Sequence, residues 1–391
     1  MQNVIPLRPT KSEEPTHLAH VFAQFPLDVT HGQGVFLFTS DGRKILDLYG
    51  GHAVAALGYG HPRWVEALTS QAKSMAFQTN AVPMDVRARA ATKLTKFCGL
   101  GLDTVFFINS GAEANENALK IALKMTEAPE VCAIEGGWHG RTAAAGAVTW
   151  GAKEKWYGFP NTPFDVKFLP RGDINALNEL ISDQTAAVIV EPVQGVAGAL
   201  DLPQEYLEAL RRRCSENGSI LIFDEVQCGM GRTGHSFAAN MYGVTPDIIT
   251  TAKALGAGFP VSAVMMADHV ANSVKMDSLG TTFGGGPMAC ALVEAVIDII
   301  ESEDLLKNVR DRSAQIRRQC IVGPVTGVQG AGLLLGLRTK RPAKDIQTEL
   351  LKRNILVGTS GDPHIIRILA PYILGGEHVE QLRDALLALG G

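Results

Sequence analysis

The feature that most restricts this chain is a rhythm: short runs that are apolar at almost every position, separated by stretches with helical spacing. Residues 104–108, 131–134, 187–190, 220–223, 247–251 and 261–265 are such runs. A strand open to water on one face alternates apolar and polar residues, whereas one apolar throughout is buried on both faces. Between the runs, residues 64–75, 85–97, 113–125 and 203–217 carry helical periodicity. The last of these opens at Pro203 and stops before Gly218, residue types that favour helix starts and stops. Strands alternating with helices imply an α/β fold: a largely parallel sheet covered by helices on both sides.

Outside this rhythm the pattern changes. Residues 35–38 and 45–48 flank Asp41-Gly42 and read as a hairpin. After Gly284-Gly285-Gly286, helices are expected at 287–300 and 304–320, strands at 333–337, 355–357 and 365–369, and a last helix at 379–389. A chain of 391 residues exceeds what one hydrophobic core supports. The expected division is a large domain over 56–290 and a smaller α/β domain assembled from segments 1–55 and 291–391.

Bulk properties narrow the function classes. A composition of 46% hydrophobic and 19% charged residues suits a soluble globular protein. The net charge of −4 gives no reason to expect a nucleic-acid or anionic-membrane partner. The six cysteines, Cys98, Cys132, Cys214, Cys228, Cys290 and Cys320, form no C-x-x-C pair, so neither a disulfide frame nor a metal site is expected. Residues 1–16 are polar and proline-bearing, without the apolar centre of a secretion signal, and no apolar run approaches the ~20 residues of a membrane span. These features point to a cytoplasmic protein.

Three segments could carry chemistry. Asn109-Ser110-Gly111-Ala112-Glu113 lies at a strand-to-helix junction, where free N–H groups and the helix dipole attract an anion. The same residues also fit an ordinary capping box. Asp224 ends the apolar run 220–223, the place where open α/β sheets bind ligands, although a loop cap or surface ion pair would look the same. Lys253 follows the run 247–251 among small apolar residues. A lysine there is costly unless paired or converted to an imine, whereas most lysines are simply solvated. Gly229-Met230-Gly231-Arg232-Thr233-Gly234 matches the dinucleotide pattern letter for letter. The segment after it is cut short by Gly243, so the nucleotide reading is rejected.

A phosphate grip, a strand-end acid and an amine in an apolar setting form the set that pyridoxal phosphate needs. With these residues the chain resembles the class III, fold type I aminotransferases, most closely the acetylornithine and ornithine aminotransferase group. The resemblance runs through Gly58-Tyr59-Gly60-His61-Pro62, Asn109 to Asn115, Trp138-His139-Gly140-Arg141-Thr142, Glu191-Pro192-Val193-Gln194-Gly195, Asp224-Glu225-Val226-Gln227, Gly229 to Gly234, Lys253, Thr281-Thr282 and Ile366-Arg367. It implies a mostly parallel seven-stranded sheet in the large domain, and a homodimer with shared active sites. It also implies amino transfer from a small-molecule amino donor to 2-oxoglutarate or a similar 2-oxo acid, by a ping-pong route. N-acetylornithine is one such donor. An aminomutase, a racemase, a lyase or a non-catalytic binding protein would use the same cofactor grip.

The resemblance also assigns roles. Lys253 would carry the cofactor as a Schiff base and act as acid and base. Asp224 would hold the pyridinium nitrogen. Ser110, Gly111 and Ala112 would bind the phosphate, Trp138 and Val226 would cover the two ring faces, and Gln227 would meet the ring hydroxyl. His139 and Glu191 join the cofactor-binding set, and Thr282 would reach the phosphate of the neighbouring subunit. Arg141, Arg367 and His52 would face the substrate. Two departures bear on specificity. Val196 stands where the family carries a second Glu that pairs with the arginine matched by Arg367. His52 stands where ornithine aminotransferases have a Tyr, and it is equally well explained as a loop histidine with a satisfied hydrogen bond. Arg367 is therefore expected to lie free, drawing a substrate carboxylate in both half-reactions.

Overall fold

The computed structural model describes residues 17–390. The expectations for residues 1–16 lie outside that range. At the centre is a seven-stranded sheet. Its strands, labelled in chain order, are β1 Thr104–Ile108, β2 Glu130–Ile134, β3 Asp165–Leu169, β4 Thr185–Val190, β5 Ile220–Asp224, β6 Ile248–Thr251 and β7 Ser262–Met266. The spatial order is β1-β7-β6-β5-β4-β2-β3. Strand β7 pairs antiparallel with both neighbours, and the other pairings are parallel. Six strands therefore run one way, and their carboxyl ends gather along one edge of the sheet.

Strands β2, β4, β5, β6 and β7 are buried at every position. That is the physical basis of the runs seen in the sequence: helices cover both faces, so neither face selects for polar residues. The helix Gly111–Thr126 shows the covering principle, with Ala114, Ala118, Leu119, Ile121 and Ala122 buried along one stripe against the sheet. The sixteen-residue helix Pro287–Ser302 is buried along most of its length and packs on Pro62–Ser74 and Asp85–Cys98.

The expected hairpin is present as Phe36–Thr39 and Lys44–Asp47, with Gly42 in the left-handed region at φ +83°. Val29–Gln33 adds a strand on one side of it. On the other side, Ile355–Leu356 pairs parallel with Leu46 and Asp47. The N-terminal and C-terminal segments thus share one sheet. A second four-stranded sheet contains Val325–Ala331, Leu334–Thr339, Ile365–Ile368 and Gly358–Thr359. Among the described residues, no helix is long and apolar enough to cross a membrane.

Candidate active site

The carboxyl ends of the parallel strands border a cavity of about 350 Å³. Asn109 to Ala112 follow β1, Trp138 and His139 follow β2, Glu191 follows β4, Asp224 ends β5, and Lys253 follows β6. All ten residues expected to hold the cofactor from within one chain line this single space: Ser110, Gly111, Ala112, Trp138, His139, Glu191, Asp224, Val226, Gln227 and Lys253.

Ser110 caps the helix, but Glu113 reaches back to Asn109 rather than to the Ser110 N–H, so the expected capping box is only half formed. Ser110 Oγ accepts a hydrogen bond from Glu113 N at 3.2 Å, while the Glu113 carboxylate accepts from Asn109 N at 3.2 Å. The opening N–H groups of a helix have no partner inside it, so the end of this one carries free donors at the cavity wall. Gly111 is required for close approach: a Cβ there would lie 2.7 Å from Val226 Cγ1.

Asp224 is fixed on three sides. Its Oδ2 accepts from Asn115 Nδ2 at 2.7 Å and lies 2.7 Å from His139 Nδ1, and its Oδ1 accepts from Val226 N at 3.0 Å. Asn115 also donates to His139 O at 2.7 Å, and its own Oδ1 accepts from Thr250 Oγ1 at 2.6 Å. Asn115 thus locks the strand-end acid and the imidazole together. The sequence held one signal for it, a polar residue on the buried alanine-rich stripe of its helix.

Glu191 accepts from Trp138 N at 2.8 Å and from Gly195 N at 3.3 Å. Burial and then the nearby Asp224 push its pKa above the usual carboxylate range. Lys253 has φ +45° and opens a short 3₁₀ turn. Burial pulls its amine below the ordinary lysine value, opposed by Asp224 and Glu191. A lysine so shifted spends more time as the neutral nucleophile. Among the described residues, neither Gln227 Oε1 nor His139 Nε2, both buried, has a hydrogen-bond partner.

The substrate-facing candidates lie in a different setting. Gly50, Gly51, His52 and Ala53 are four successive left-handed residues, with φ of +54°, +54°, +62° and +69°. For the two that carry side chains this costs ~1–3 kcal/mol each. Asp47 Oδ1 secures the entry to this turn, accepting from Tyr49 N at 2.8 Å and Gly50 N at 2.9 Å. His52 Nδ1 lies 2.6 Å from the Tyr49 hydroxyl, so the satisfied-histidine alternative is correct as far as it goes. Surrounding protein atoms, and then the charges of Arg367 and Lys253, hold its pKa below the usual imidazole value. Neither His52 nor Arg367 is among the residues lining the cavity.

Arg367 is buried on the strand Ile365–Ile368. It lacks a carboxylate partner among the described residues, as Val196 led us to expect, but it is not free. Its Nε donates to Thr359 O at 2.7 Å and its Nη1 to Gly195 O at 3.3 Å, with the Tyr49 ring centroid 5.9 Å away. Backbone carbonyls do part of the missing acid's work, an arrangement the sequence could not reveal. Arg141 is exposed and stacks over Trp156 at 4.8 Å and Trp138 at 5.4 Å. Thr282 is exposed in a loop outside the cavity lining, beside the exposed Phe283, which contacts Phe77.

The residues present fit pyridoxal phosphate. A helix end offers donors for a phosphate, a buried acid sits opposite an amine, and an indole borders the space. Gln227 Oε1 and His139 Nε2 are buried polar atoms without partners among the described residues.

Comparison with known proteins agrees with this geometry. Residues 18–389 match the family described as Aminotransferase class-III. The acetylornithine aminotransferase of Methanocaldococcus jannaschii is 37% identical, over 96% of each chain. That of Streptomyces coelicolor is 40% identical, over 92% of this chain and 90% of the relative. Among solved structures, the acetylornithine aminotransferase from Elizabethkingia anophelis superimposes with a TM-score of 0.85 at 30% identity, covering 95% of this chain and 96% of the other. The ornithine aminotransferase from Toxoplasma gondii ME49 gives a TM-score of 0.89 at 28% identity, covering 95% and 92%.

Proposed function

The chain belongs to the class III aminotransferases, enzymes that use pyridoxal phosphate, and on that premise we propose that it moves the amino group of N-acetylornithine to 2-oxoglutarate, with Lys253 as the cofactor-bearing residue. The observation that carries the assignment is the placement of Asp224 and Lys253. They close adjacent strands β5 and β6 and face one cavity capped by the helix after Ser110. The donor is chosen because curated relatives at 37% and 40% identity bear that activity in their names.

When bound, the cofactor supplies an aldehyde that exchanges amines and a ring that withdraws electrons from the carbon carrying the nitrogen. Asp224, braced by Asn115 and His139, keeps a proton on the ring nitrogen. Ser110, Gly111 and Ala112 hold the phosphate through the opening of their helix. Trp138 and Val226 would cover the ring faces, and Gln227 would meet the ring hydroxyl. His139 and Glu191 support this set from below. Lys253 Nζ removes the proton from the donor carbon that carries the amine, a task its lowered pKa favours. Arg367 binds the carboxylate next to the reacting carbon of 2-oxoglutarate, Arg141 the more distant carboxylate, and His52 lines the same side.

Arg367, unpaired with any carboxylate among the described residues, favours a second reading of the donor. An α-amino dicarboxylate could place its own carboxylate on this guanidinium in both half-reactions. The enzyme would then discriminate less in favour of ω-amines than a family member that carries the second Glu.

The exposed Phe77–Phe283 pair beside Thr282 supports a homodimer in which Thr282 serves the partner's phosphate. The sharing of one sheet by Leu46 and Ile355 supports grouping residues 1–55 with 291–391 as a smaller domain around the large domain 56–290. The six cysteines are unbridged, which suits a cytoplasmic enzyme.

Single half-reactions test the donor assignment. N-acetylornithine should bleach the cofactor's visible band and 2-oxoglutarate should restore it. A band bleached by an α-amino dicarboxylate but not by N-acetylornithine would move the assignment to the second reading. A fully active monomer in sedimentation at assay concentration would remove the shared site.

A further inference from the structure

The segment Gly229-Met230-Gly231-Arg232-Thr233-Gly234 takes no part in the cofactor grip. It is a series of turns followed only by the five-residue helix Ala238–Tyr242, so it has none of the architecture a dinucleotide needs. Its arginine is nevertheless completely buried. Arg232 makes no ion pair among the described residues. Its Nη1 donates to Leu333 O at 3.1 Å and Ala370 O at 2.5 Å, and its Nη2 donates to Ala53 O at 3.2 Å. The Tyr372 ring centroid lies 4.6 Å from the guanidinium carbon.

An unpaired buried charge is expensive, and a packed apolar side chain would fill the same space at lower cost. What a guanidinium offers is a rigid planar fork that fixes several acceptors at once. The acceptors here are telling. Ala53 is the last residue of the left-handed turn and directly follows His52. Ala370 lies three residues beyond Arg367, just past the end of its strand. Between them, Leu369 N donates to Leu48 O at 2.8 Å, and Tyr372 N to Ala56 O at 2.7 Å. The two backbone strips that carry His52 and Arg367 therefore run side by side, and Arg232 grips both from beneath.

We propose that Arg232 is a positioning residue for substrate binding: it holds the strained turn bearing His52 against the strand bearing Arg367, and so sets the spacing of the two groups that meet the substrate. This rests on the substrate-facing roles proposed above for His52 and Arg367. Releasing the fork would let the turn relax from its left-handed form and widen the carboxylate end of the pocket. The cofactor grip stands on the ends of β1, β5 and β6, and none of the three carbonyls belongs to it.

The test compares steady-state kinetics of holoenzyme carrying Arg232→Met or Arg232→Lys with the wild type. KM for both N-acetylornithine and 2-oxoglutarate should rise about tenfold or more in Arg232→Met, with kcat within about threefold and cofactor content and spectrum unchanged. Arg232→Lys should fall between, because one ammonium cannot hold three carbonyls in a plane. Tyr372→Leu keeps the fork and removes only its stacking surface, so it provides a reading even if both Arg232 variants are insoluble. It should raise both KM values about threefold. Unchanged KM in soluble Arg232→Met, or in Tyr372→Leu where the Arg232 variants fail, overturns the proposal, as does loss of cofactor with KM intact. Arg367→Ala is the control that separates the two claims. If it leaves KM unmoved, the reading of the pocket fails. If it raises KM while Arg232→Met does not, only the positioning role fails.

Discussion

On one side of the cavity, Ser110, Asp224 and Lys253 sit at or within two residues of the ends of β1, β5 and β6. Outside the cavity lining, His52 hangs from a left-handed turn, Arg367 comes from a separate sheet, and Arg141 stacks on two indoles at the surface. The first set is placed by hydrogen-bonded strands buried on both faces. The second is placed by local turns and by contacts between segments far apart in the chain, such as Arg367 Nη1 on Gly195 O, 172 residues away. Cofactor chemistry needs fixed geometry, and the sheet supplies it directly. On the roles proposed, substrate choice would reside in parts whose positions depend on packing, and these can change without disturbing the sheet.

Substitutions on the two sides should therefore fail differently. Lys253→Ala should give the largest effect, lowering turnover by a factor on the order of 10³ or more while KM for the substrates moves little. If turnover survives at a tenth of wild type, the rigid side has been assigned the wrong amine. Arg367→Ala should do the reverse. Loss of a charged hydrogen-bonding partner raises KM for 2-oxoglutarate roughly 10- to 100-fold. The spectrum of the bound cofactor should not change.

The same contrast decides what could be read in the sequence. β2, β4, β5 and β6 announced themselves because double-sided burial leaves few polar positions, and the residues at their ends could be named with them. β3 escaped: it is an edge strand whose Asp-Val-Lys-Phe-Leu sequence has partly exposed positions and no continuous apolar run. Val325–Ala331 escaped as well, because two glycines and a glutamine occupy its interior. Within the site, local sequence offered Asp224 and Lys253 only as candidates beside blander readings, and the resemblance to the family supplied their roles. Arg232 lay within one of the segments that carry the family resemblance but had no role attached to it, and the carbonyls holding Arg367 carry no side-chain signature at all.

A smaller change sharpens the comparison on the substrate side. Val196 lines the cavity, and its own carbonyl accepts from Gly361 N at 2.9 Å. Val196→Glu should place an acid within reach of Arg367 and shift preference toward N-acetylornithine over an α-amino dicarboxylate by about three- to tenfold. Strong wild-type preference for N-acetylornithine, unaltered by the substitution, would mean that the carbonyls of Thr359 and Gly195 already do the whole of the missing acid's work.

On the rigid side, the smallest predicted effect concerns stability. Glu225 is completely buried, accepting from Ala238 N at 2.5 Å and Ala239 N at 2.8 Å. Burial pushes its pKa up to about 8, against the pull of those two N–H groups. A carboxyl whose pKa is raised by folding favours the native state most when both states are protonated, below its ordinary value of ~4.5. That contribution is lost as pH rises through about 8. Relative to Glu225→Gln, the wild type should lose stability between those limits, by a few kcal/mol at the order-of-magnitude level. Thermal melts of the two proteins at pH 5 and pH 8 measure it, and parallel behaviour would show that Glu225 stays ionised throughout.

The central claim is that Lys253 and the sheet edge around it hold pyridoxal phosphate for amino transfer. The most direct measurement is borohydride reduction of the wild-type holoenzyme, followed by peptide mass mapping of the fixed cofactor. The label should fall on the peptide containing Lys253 and be lost in Lys253→Ala. Label on another lysine, or none in an enzyme that still turns over, would contradict the account.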